Sequence, residues 1–392
     1  MTELQTLLTP EALTLLDALP PYESKADVLA LVSSLRKQGH SPELVTAVLA
    51  QAKLRSRAQA KFGDFADSML FTEAGLEQAT RLQVAALHAG RFRVADLNRV
   101  ADLGCGIGSD ALAMAALGLA VTAVERDEVT AALTSFNLAP FDNATVVHAD
   151  ATTVDLDVFD GVFLDPARRT SGHSNTRRIS SDDYSPSLDF CFEVAARRPA
   201  GIKLGPGLDR DLIPMGCEAQ WISVGGEVVE MGLWFGPLAR PEIARAALLL
   251  TNDGVHEMTA SADAPDEPVG ALEQYLYEPD GAVIRARLIG DLARALDAHP
   301  IAPEIAYLSA AELRPTPFAQ AFEVIEVFPL DVKTLAAELQ TRGIGTLEIK
   351  KRGVDIDPAE FRKKLKLAGS EAATLVLTRV GEDRKAILAQ RV

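Results

Sequence analysis

Long apolar runs are missing from this 392-residue chain: none is of the length that crosses a bilayer, and the opening Met-Thr-Glu-Leu-Gln carries no basic leader. Neither export nor membrane insertion is expected, which leaves the cytoplasm as the expected compartment. Cysteine is scarce. Cys105, Cys191 and Cys217 are odd in number and far apart, matching neither a disulfide framework nor a zinc site. The six histidines stand singly, so no metal cluster is expected. Positive charge is also short, with 39 Lys and Arg against 55 Asp and Glu and a formal charge of −16. That balance argues against non-specific binding of nucleic acid over the whole surface. The basic clusters that survive in it, at 53–61, 168–178 and 350–366, are informative for that reason. Hydrophobic residues make up 48% of the chain, enough for two or three domains with sizeable cores.

What the chain does have is Arg99-Val-Ala-Asp-Leu-Gly-Cys-Gly-Ile-Gly-Ser-Asp110. Val100, Ala101 and Leu103 suit a buried parallel strand, and Gly104, Gly106 and Gly108 allow a tight turn that brings backbone close to a ligand. Ala111-Leu-Ala-Met-Ala-Ala-Leu117 then forms a helix that Gly118 ends. Free N–H groups at such a helix start receive a pyrophosphate or a carboxylate. A dinucleotide fingerprint wants G-x-G-x-x-G, but the third glycine comes one residue early here, and Ser109 stands in the last glycine's place. Asp102 at the strand tip suits a cofactor with an amino group and suits a pyrophosphate badly. The pattern D-L-G-C-G-I-G resembles motif I of the class I S-adenosylmethionine (SAM)-dependent methyltransferases.

The next strands carry the same sign. Residues 120–126 end on Glu125, placed to take both ribose hydroxyls of an adenosine. A helix at 128–138 and a strand at 144–149 lead to Asp150, and a fourth strand, Gly161-Val-Phe-Leu164, ends on Asp165-Pro-Ala-Arg168. Each strand thus delivers a carboxylate at its C-terminal end, the edge where open α/β sheets bind ligands. The resemblance implies SAM as cofactor, held by Thr80, Asp102, Gly104, Cys105, Gly106, Gly108, Glu125, Arg126, Asp150 and Ala151, with Asp150 beside the adenine amino group. A segment similar to Met69–Thr80 packs under the methionine end in many methyltransferases, which makes Phe71, Thr72, Gln78 and Thr80 candidates to line it; an ordinary helix cap and face is the alternative.

Asp165 and Pro166 occupy the position of motif IV, which reads Asp/Asn-Pro-Pro-aromatic in amino-methylating enzymes. Proline fixes φ and holds its predecessor extended, so the loop aims the Asp side chain at a target. Acceptors placed there would hold the N–H groups of an amine and turn its lone pair to the methyl, which is positioning work. Ala167 and Arg168 depart from the pattern, because the second proline and the stacking aromatic are missing. Asp-Pro-Pro-Arg also occurs in RNA uridine C5-methyltransferases, but those need a cysteine after the fifth strand, and Gly201-Ile-Lys-Leu-Gly-Pro-Gly207 has none. In the loop that follows, Arg168, Arg169, Arg177 and Arg178 are candidates to clamp phosphates; a merely solvated loop is the alternative.

Residues 1–95 read as a helical region, with caps at Thr9-Pro10, at Ser24 with Asp27, and at Ser41-Pro42. Lys53, Arg55, Arg57 and Lys61 are expected to form a solvated helix face rather than a polyanion contact. Ser185-Pro186 opens a helix, and a hairpin at Gly225-Gly226 with a strand at 246–250 completes the sheet. The methyltransferase domain is expected over 96–255, followed by a linker at 263–268. Strands at 322–328, 346–351 and 373–378 with helices at 331–342 and 358–369 read as a small α/β domain within 256–392. Glu348-Ile-Lys-Lys-Arg-Gly-Val-Asp-Ile-Asp-Pro358, with Arg362-Lys-Lys-Leu-Lys-Leu367, resembles the THUMP-like domain behind a class I methyltransferase in a bacterial family. True THUMP domains bind RNA, and Lys350, Lys351 and Arg352 are the candidate contacts; a solvated face is the alternative. The expected fold is an α/β, Rossmann-like sheet between helical and THUMP-like parts. The expected function is SAM-dependent methylation of RNA, without metal or membrane; the alternatives are a small-molecule or protein substrate, or an RNA-binding protein that holds SAM without turnover.

Overall fold

The computed structural model describes residues 6–20, 25–168 and 183–392. The expected cap at Ser24 and the candidates Arg169, Arg177 and Arg178 lie outside the described residues.

The N-terminal helices start where side chains can take their free N–H groups. Helix α1 (Pro10–Asp17) begins with the Thr9 hydroxyl accepting from the Ala12 N–H, and α2 (Lys25–Lys37) leads to α3 (Pro42–Phe62), where Ser41 accepts from the Leu44 N–H. Helices α4 (Glu73–Gln78) and α5 (Leu82–Val94) follow. The basic run on α3 is only partly a solvated face: Lys53 and Arg57 are exposed, Arg55 and Lys61 are not. Buried Arg55 donates to the Met69 carbonyl at 2.9 Å and pairs with Asp17 at 3.1 Å, and Arg57 pairs with Glu73 at 2.7 Å. Lys61 donates to the carbonyls of Leu76, Glu77 and Ala79, each at 2.8 Å. These carbonyls lie at the C-terminal end of α4, where cations satisfy the last acceptors of a helix, and α3 presents the cations to them.

The central sheet contains β1 (Arg99–Leu103), β2 (Ala120–Glu125), β3 (Ala144–His148), β4 (Gly161–Leu164), and, past the short ribbon of β5 (Ala167–Arg168) with β6 (Tyr184–Ser185), β7 (Ala200–Leu204). Helices α6 (Ser109–Ala116), α7 (Glu128–Leu138) and α8 (Leu188–Ala195) connect them. The cap of α8 is Ser187, two residues past the expected start, because its hydroxyl is the one that accepts from the Phe190 N–H. Next come β8 (Glu218–Val224), β9 (Glu227–Phe235), β10 (Arg245–Thr251) and β11 (Gly254–Ala260), giving the order β11-β10-β8-β9-β7-β4-β1-β2-β3. All pairings from β7 to β3 are parallel, and the order reverses direction between β4 and β1, the crevice where such sheets bind ligands. Gly225 and Gly226 make the hairpin turn, with φ of 60° and 85°.

The chain forms two compact units. One holds Met1–Leu204, Asp209–Cys217 and Leu233–Ala239; the other holds Gly205–Leu208, Glu218–Gly232 and Arg240–Val392. In the second, β12 (Tyr275–Pro279), β13 (His299–Pro300), β14 (Leu308–Ala310), β15 (Ala319–Pro329), β16 (Ile344–Lys351), β17 (Glu371–Val380) and β18 (Asp383–Arg391) form a sheet in the order β13-β14-β12-β15-β18-β17-β16. Helices α9 (Gly281–Arg285) and α10 (Ile289–Leu296) precede β13. Helices α11 (Val332–Thr341) and α12 (Pro358–Leu365) bury Leu335, Leu339, Phe361 and Leu365 against one sheet face, while Ile301, Ile305 and Tyr307 pack on Val376 and Ile387 of the other. Strands β12–β14 and β18 were not foreseen. Helix α12 stops four residues before the expected end because Lys366 turns left-handed, with φ of 49°.

Within this second unit Glu218 of β8 is wholly buried and meets the Arg240 guanidinium at 2.6 Å; Arg240 also pairs with Glu257 of β11 at 2.5 Å. Removing one partner of a buried pair leaves an uncompensated charge. Arg240→Met should therefore lower unfolding free energy by about 2–3 kcal/mol, the buried-pair range discounted for the partial exposure of Arg240. The double variant Glu218→Gln, Arg240→Met should recover part of that loss in denaturant titrations.

Candidate functional site

The glycine turn leaves the tip of β1 with Gly104, Gly106 and Gly108 all left-handed, at φ of 80°, 54° and 87°. Two of the three are also forced by space. A Cβ on Gly104 would lie 2.9 Å from the Asp165 carbonyl oxygen, and one on Gly108 would lie 2.9 Å from Thr134 Cγ2. A Cβ on Gly106 would meet nothing within 4 Å, so that side of the turn faces open space. Glu125 holds this turn from β2: its Oε2 accepts from the Gly106 N–H at 3.1 Å and its Oε1 from the Asp127 N–H at 2.9 Å. Cys105 is buried inside the turn, and burial, with the charges of Asp102 and Glu125, pushes its thiol well above the ordinary range.

The neighbouring candidates sit on adjacent strand ends. Asp150 accepts from the Thr152 N–H at 2.9 Å and from its hydroxyl at 2.6 Å, bonds that hold its carboxyl below the usual value, and Ala151 starts the short helical turn that follows. Arg126 donates to the Ser185 hydroxyl at 2.7 Å. Arg168, on β5, is exposed. Thr72 caps α4, accepting from the Gly75 N–H at 2.8 Å; Phe71 is buried on Phe62 with ring centroids 5.5 Å apart; Gln78 is exposed. Lys350, Lys351 and Arg352 belong to the second unit.

Strand register brings acids and cations together. In the parallel ladder Asp102 lies opposite Phe163, and Leu164 opposite Ile202. One residue further, Asp165 therefore neighbours Lys203, and pleat alternation sets both on the sheet face that Asp102 shares. Lys203 Nζ lies 2.5 Å from Asp165 Oδ2 and 2.9 Å from Thr80 Oγ1. The Thr80 hydroxyl is 2.6 Å from Asp110 Oδ2, and Asp110 Oδ1 is 2.8 Å from His88 Nδ1. Burial pushes the Asp110 carboxyl up, but the hydrogen bond and charge of His88, the Lys203 charge and the Thr80 hydroxyl bring it below the usual range overall. Asp102 is the opposite case. It is 1% exposed, and neither carboxylate oxygen has a hydrogen-bond partner. Burial first, then the charges of Asp110 and Asp165, raise it well above the usual value against the opposing charge of Lys203.

Sequence reasoning placed Asp102, Glu125, Asp165 and the glycines at this edge but missed His88, Asp110 and Lys203. Lys203 had one signal, a charge inside the otherwise apolar run Gly201-Ile-Lys-Leu204. Cys191 is buried behind Asp165 with its thiol pushed up to about 12 by burial, so it is no thiolate nucleophile. Among the described residues no cluster of His, Cys, Asp or Glu could hold a metal, and no helix is long and apolar enough to cross a membrane.

A parallel sheet with a glycine turn after its first strand and an acid at the tip of each of the next three defines a Rossmann-like nucleotide-cofactor fold. The comparisons make the class specific. A Mycobacterium tuberculosis protein described as an uncharacterized S-adenosylmethionine-dependent methyltransferase, in strains H37Rv and CDC 1551, is 33% identical over 353 residues, 87% of this chain and 93% of the relative. The chain belongs to the S-adenosylmethionine-dependent methyltransferases. A crystal structure from Porphyromonas gingivalis W83 that carries a methyltransferase description shares the fold, with a TM-score of 0.71, 20% identity and coverage of 94% of this chain and 99% of that one. Residues 319–391 match the family described as THUMP domain-like, and residues 1–58 match a domain of unknown function.

Asp102 generates a pH prediction. Its folded pKa lies above the unfolded value near 3.8, so the folded state keeps a proton that the unfolded state has lost, and this group's contribution declines as pH rises toward the folded pKa. The slope is about 1.4 kcal/mol per pH unit within that window. Asp102→Asn removes it: the variant's melting temperature should gain on the parent's as pH rises from the unfolded value of 3.8 toward the folded pKa, as read by calorimetry without added SAM. A second prediction concerns Glu125. Glu125→Gln keeps an acceptor but loses the charge-assisted bonds, and SAM affinity should fall about tenfold in titration calorimetry.

Proposed function

We propose that this methyltransferase acts on RNA, with Asp165 and Pro166 positioning the methyl acceptor. The observation that carries the acceptor assignment is the contact between the two loops: the Asp165 carbonyl oxygen lies 2.9 Å from where a Gly104 Cβ would stand, so the acid at the tip of β4 adjoins the cofactor turn. The residues present suit SAM. The sheltered, unpartnered Asp102 carboxylate matches a cationic group, and the open backbone at Gly106 with Glu125 beside it matches a ribose. Gly104, Gly106, Gly108, Glu125 and Asp150 would hold it, and it supplies a sulfonium methyl that a nucleophile attacks. Asp165 accepts from the N–H or O–H of that nucleophile and directs its lone pair, while Pro166 restricts the loop.

RNA as the substrate class rests on the THUMP-like match and on the cations around it. Pleat alternation divides these cations. Lys350 shares a sheet face with Val376 and pairs with Glu278 at 2.6 Å, and Arg352 lies over the Tyr307 ring at 5.3 Å. Lys351, Lys364 and Lys366 are exposed, and they are the residues proposed to meet phosphates.

Full-length protein should transfer tritiated methyl from SAM to total RNA from a strain lacking this chain. Asp165→Asn should lose at least a hundredfold in that rate with SAM affinity within a few fold, because its contact matters most at the reacting geometry. RNA that takes up no label would remove the substrate assignment. Changing Lys351, Lys364 and Lys366 to Gln should weaken RNA binding and flatten its salt dependence by about 2 log units, at 0.7 for each phosphate contact on single strands. An unchanged slope would mark these cations as solvated.

A further inference from the structure

The polar groups behind Asp165 form a chain in which each hydrogen bond along it has a fixed direction. Asp110 is held ionised and can only accept, so His88 donates to its Oδ1 and the Thr80 hydroxyl to its Oδ2. With its hydrogen committed at 2.6 Å, the Thr80 oxygen can only accept from Lys203, 2.9 Å away. Lys203 has three donors and no lone pair when protonated, and it lies 2.5 Å from Asp165 Oδ2. Each bond thus fixes the direction of the next, and the chain ends on the carboxylate beside the cofactor turn.

We infer that Lys203 is the positioning residue for Asp165, and that Thr80 and Asp110 orient Lys203 through this directional chain. The inference rests on the acceptor-positioning role proposed for Asp165. Burial gives the arrangement its force: the Lys203 and Asp165 side chains are 11% and 29% exposed, so water screens the pair little. Among the described residues, the groups that act on Asp165 include Asp102 from β1, Cys191 from α8 and Lys203 from β7, with Asp110 from the start of α6 and His88 of α5 beyond Lys203. Lys203 is a cation in contact with Asp165, and Asp102 is an acid beside it. Without the ammonium, Asp165 would keep that acid as a neighbour and take up a proton at higher pH. With it, Asp165 keeps one oxygen anchored and stays a charged acceptor of fixed aim. Its part is then to hold an N–H or O–H, not to exchange a proton with it.

The test needs no identified substrate. In full-length protein labelled with carboxyl-13C aspartate, the Asp165 resonance is assigned by its loss in Asp165→Asn and titrated. Lys203→Met should raise its midpoint by more than about one pH unit. Thr80→Val should raise it by less, and Thr80→Ser should restore the parent value. Lys203→Arg keeps the charge but not the point geometry, so its midpoint should stay near the parent's; this variant and the Thr80 pair carry the test if Lys203→Met does not fold. On total RNA the acid limb of methyl transfer should move up with the midpoint in Lys203→Met, with KM for SAM within about twofold of the parent. A midpoint unmoved in Lys203→Met overturns the inference, while the loss of activity in Asp165→Asn would still stand. Thr80→Val indistinguishable from the parent overturns the part that runs through Thr80 and Asp110. Full activity in Asp165→Asn would instead take down the role of Asp165 itself.

Discussion

The site depends on one close approach, that of the Gly104 backbone to the carbonyl of Asp165. A Cβ at Gly104 would come within 2.9 Å of that oxygen, closer than real Cβ atoms come, so only glycine fits there, and its left-handed conformation turns the chain toward α6. The in-register pairing of β1 with β4 makes the approach possible, since it brings Leu103 beside Leu164 and so delivers both loops to one place. Glu125 adds a fastening from β2 by accepting the Gly106 N–H. Cofactor turn and acceptor loop are thus parts of one packed object, and a change in either is felt by the other.

Behind that contact the interior holds more charge than a hydrophobic core tolerates without compensation. Asp102, Asp110, Lys203 and His88 are all buried, and an isolated buried ion costs several kcal/mol even after relaxation. The structure offsets this by pairing His88 with Asp110 and Lys203 with Asp165, whereas the Asp102 oxygens have no hydrogen-bond partner. A buried carboxylate without such a partner costs free energy unless a cation meets it. Aromatic rings close the region: His88 stands 5.2 Å from Phe163 and 5.5 Å from Trp234 between ring centroids, which keeps water from the inner end of the chain.

The second unit shows how a linear basic run is divided by folding. Lys350, Lys351 and Arg352 are consecutive, but a strand sends alternate side chains to opposite faces. Lys350 and Glu348 then find one another, Glu278 and Arg391 in a cross-strand group that neutralises much of its own charge. Lys363 likewise pairs with Glu360 one helical turn away. The cations left for a phosphate backbone are fewer than the sequence count implies.

Local chemistry was legible from the residues alone: the strands, the glycine turn, the acids at the strand tips and most helix starts follow from periodicity, left-handed glycines and capping side chains within a few residues. The C-terminal part was legible as a small α/β domain through its alternation of strand and helix, and as THUMP-like only through the resemblance of 348–358 and 362–367. Other features needed the tertiary structure because their partners lie far apart in sequence. Lys203 and Thr80 are separated by 123 residues, and only the register of β4 against β7 sets Lys203 beside Asp165. Arg55 and Lys61 read as a solvated face because helical periodicity reports which residues share a side and says nothing of what that side meets; here it meets backbone carbonyls. Strand β18 was missed for a related reason, since Ala386-Ile-Leu-Ala389 is too short to identify itself until β15 and β17 pair with it on both edges. The sequence by itself determined which chemistry stands at the ends of the strands; the packing of strands into register decided which of those groups touch.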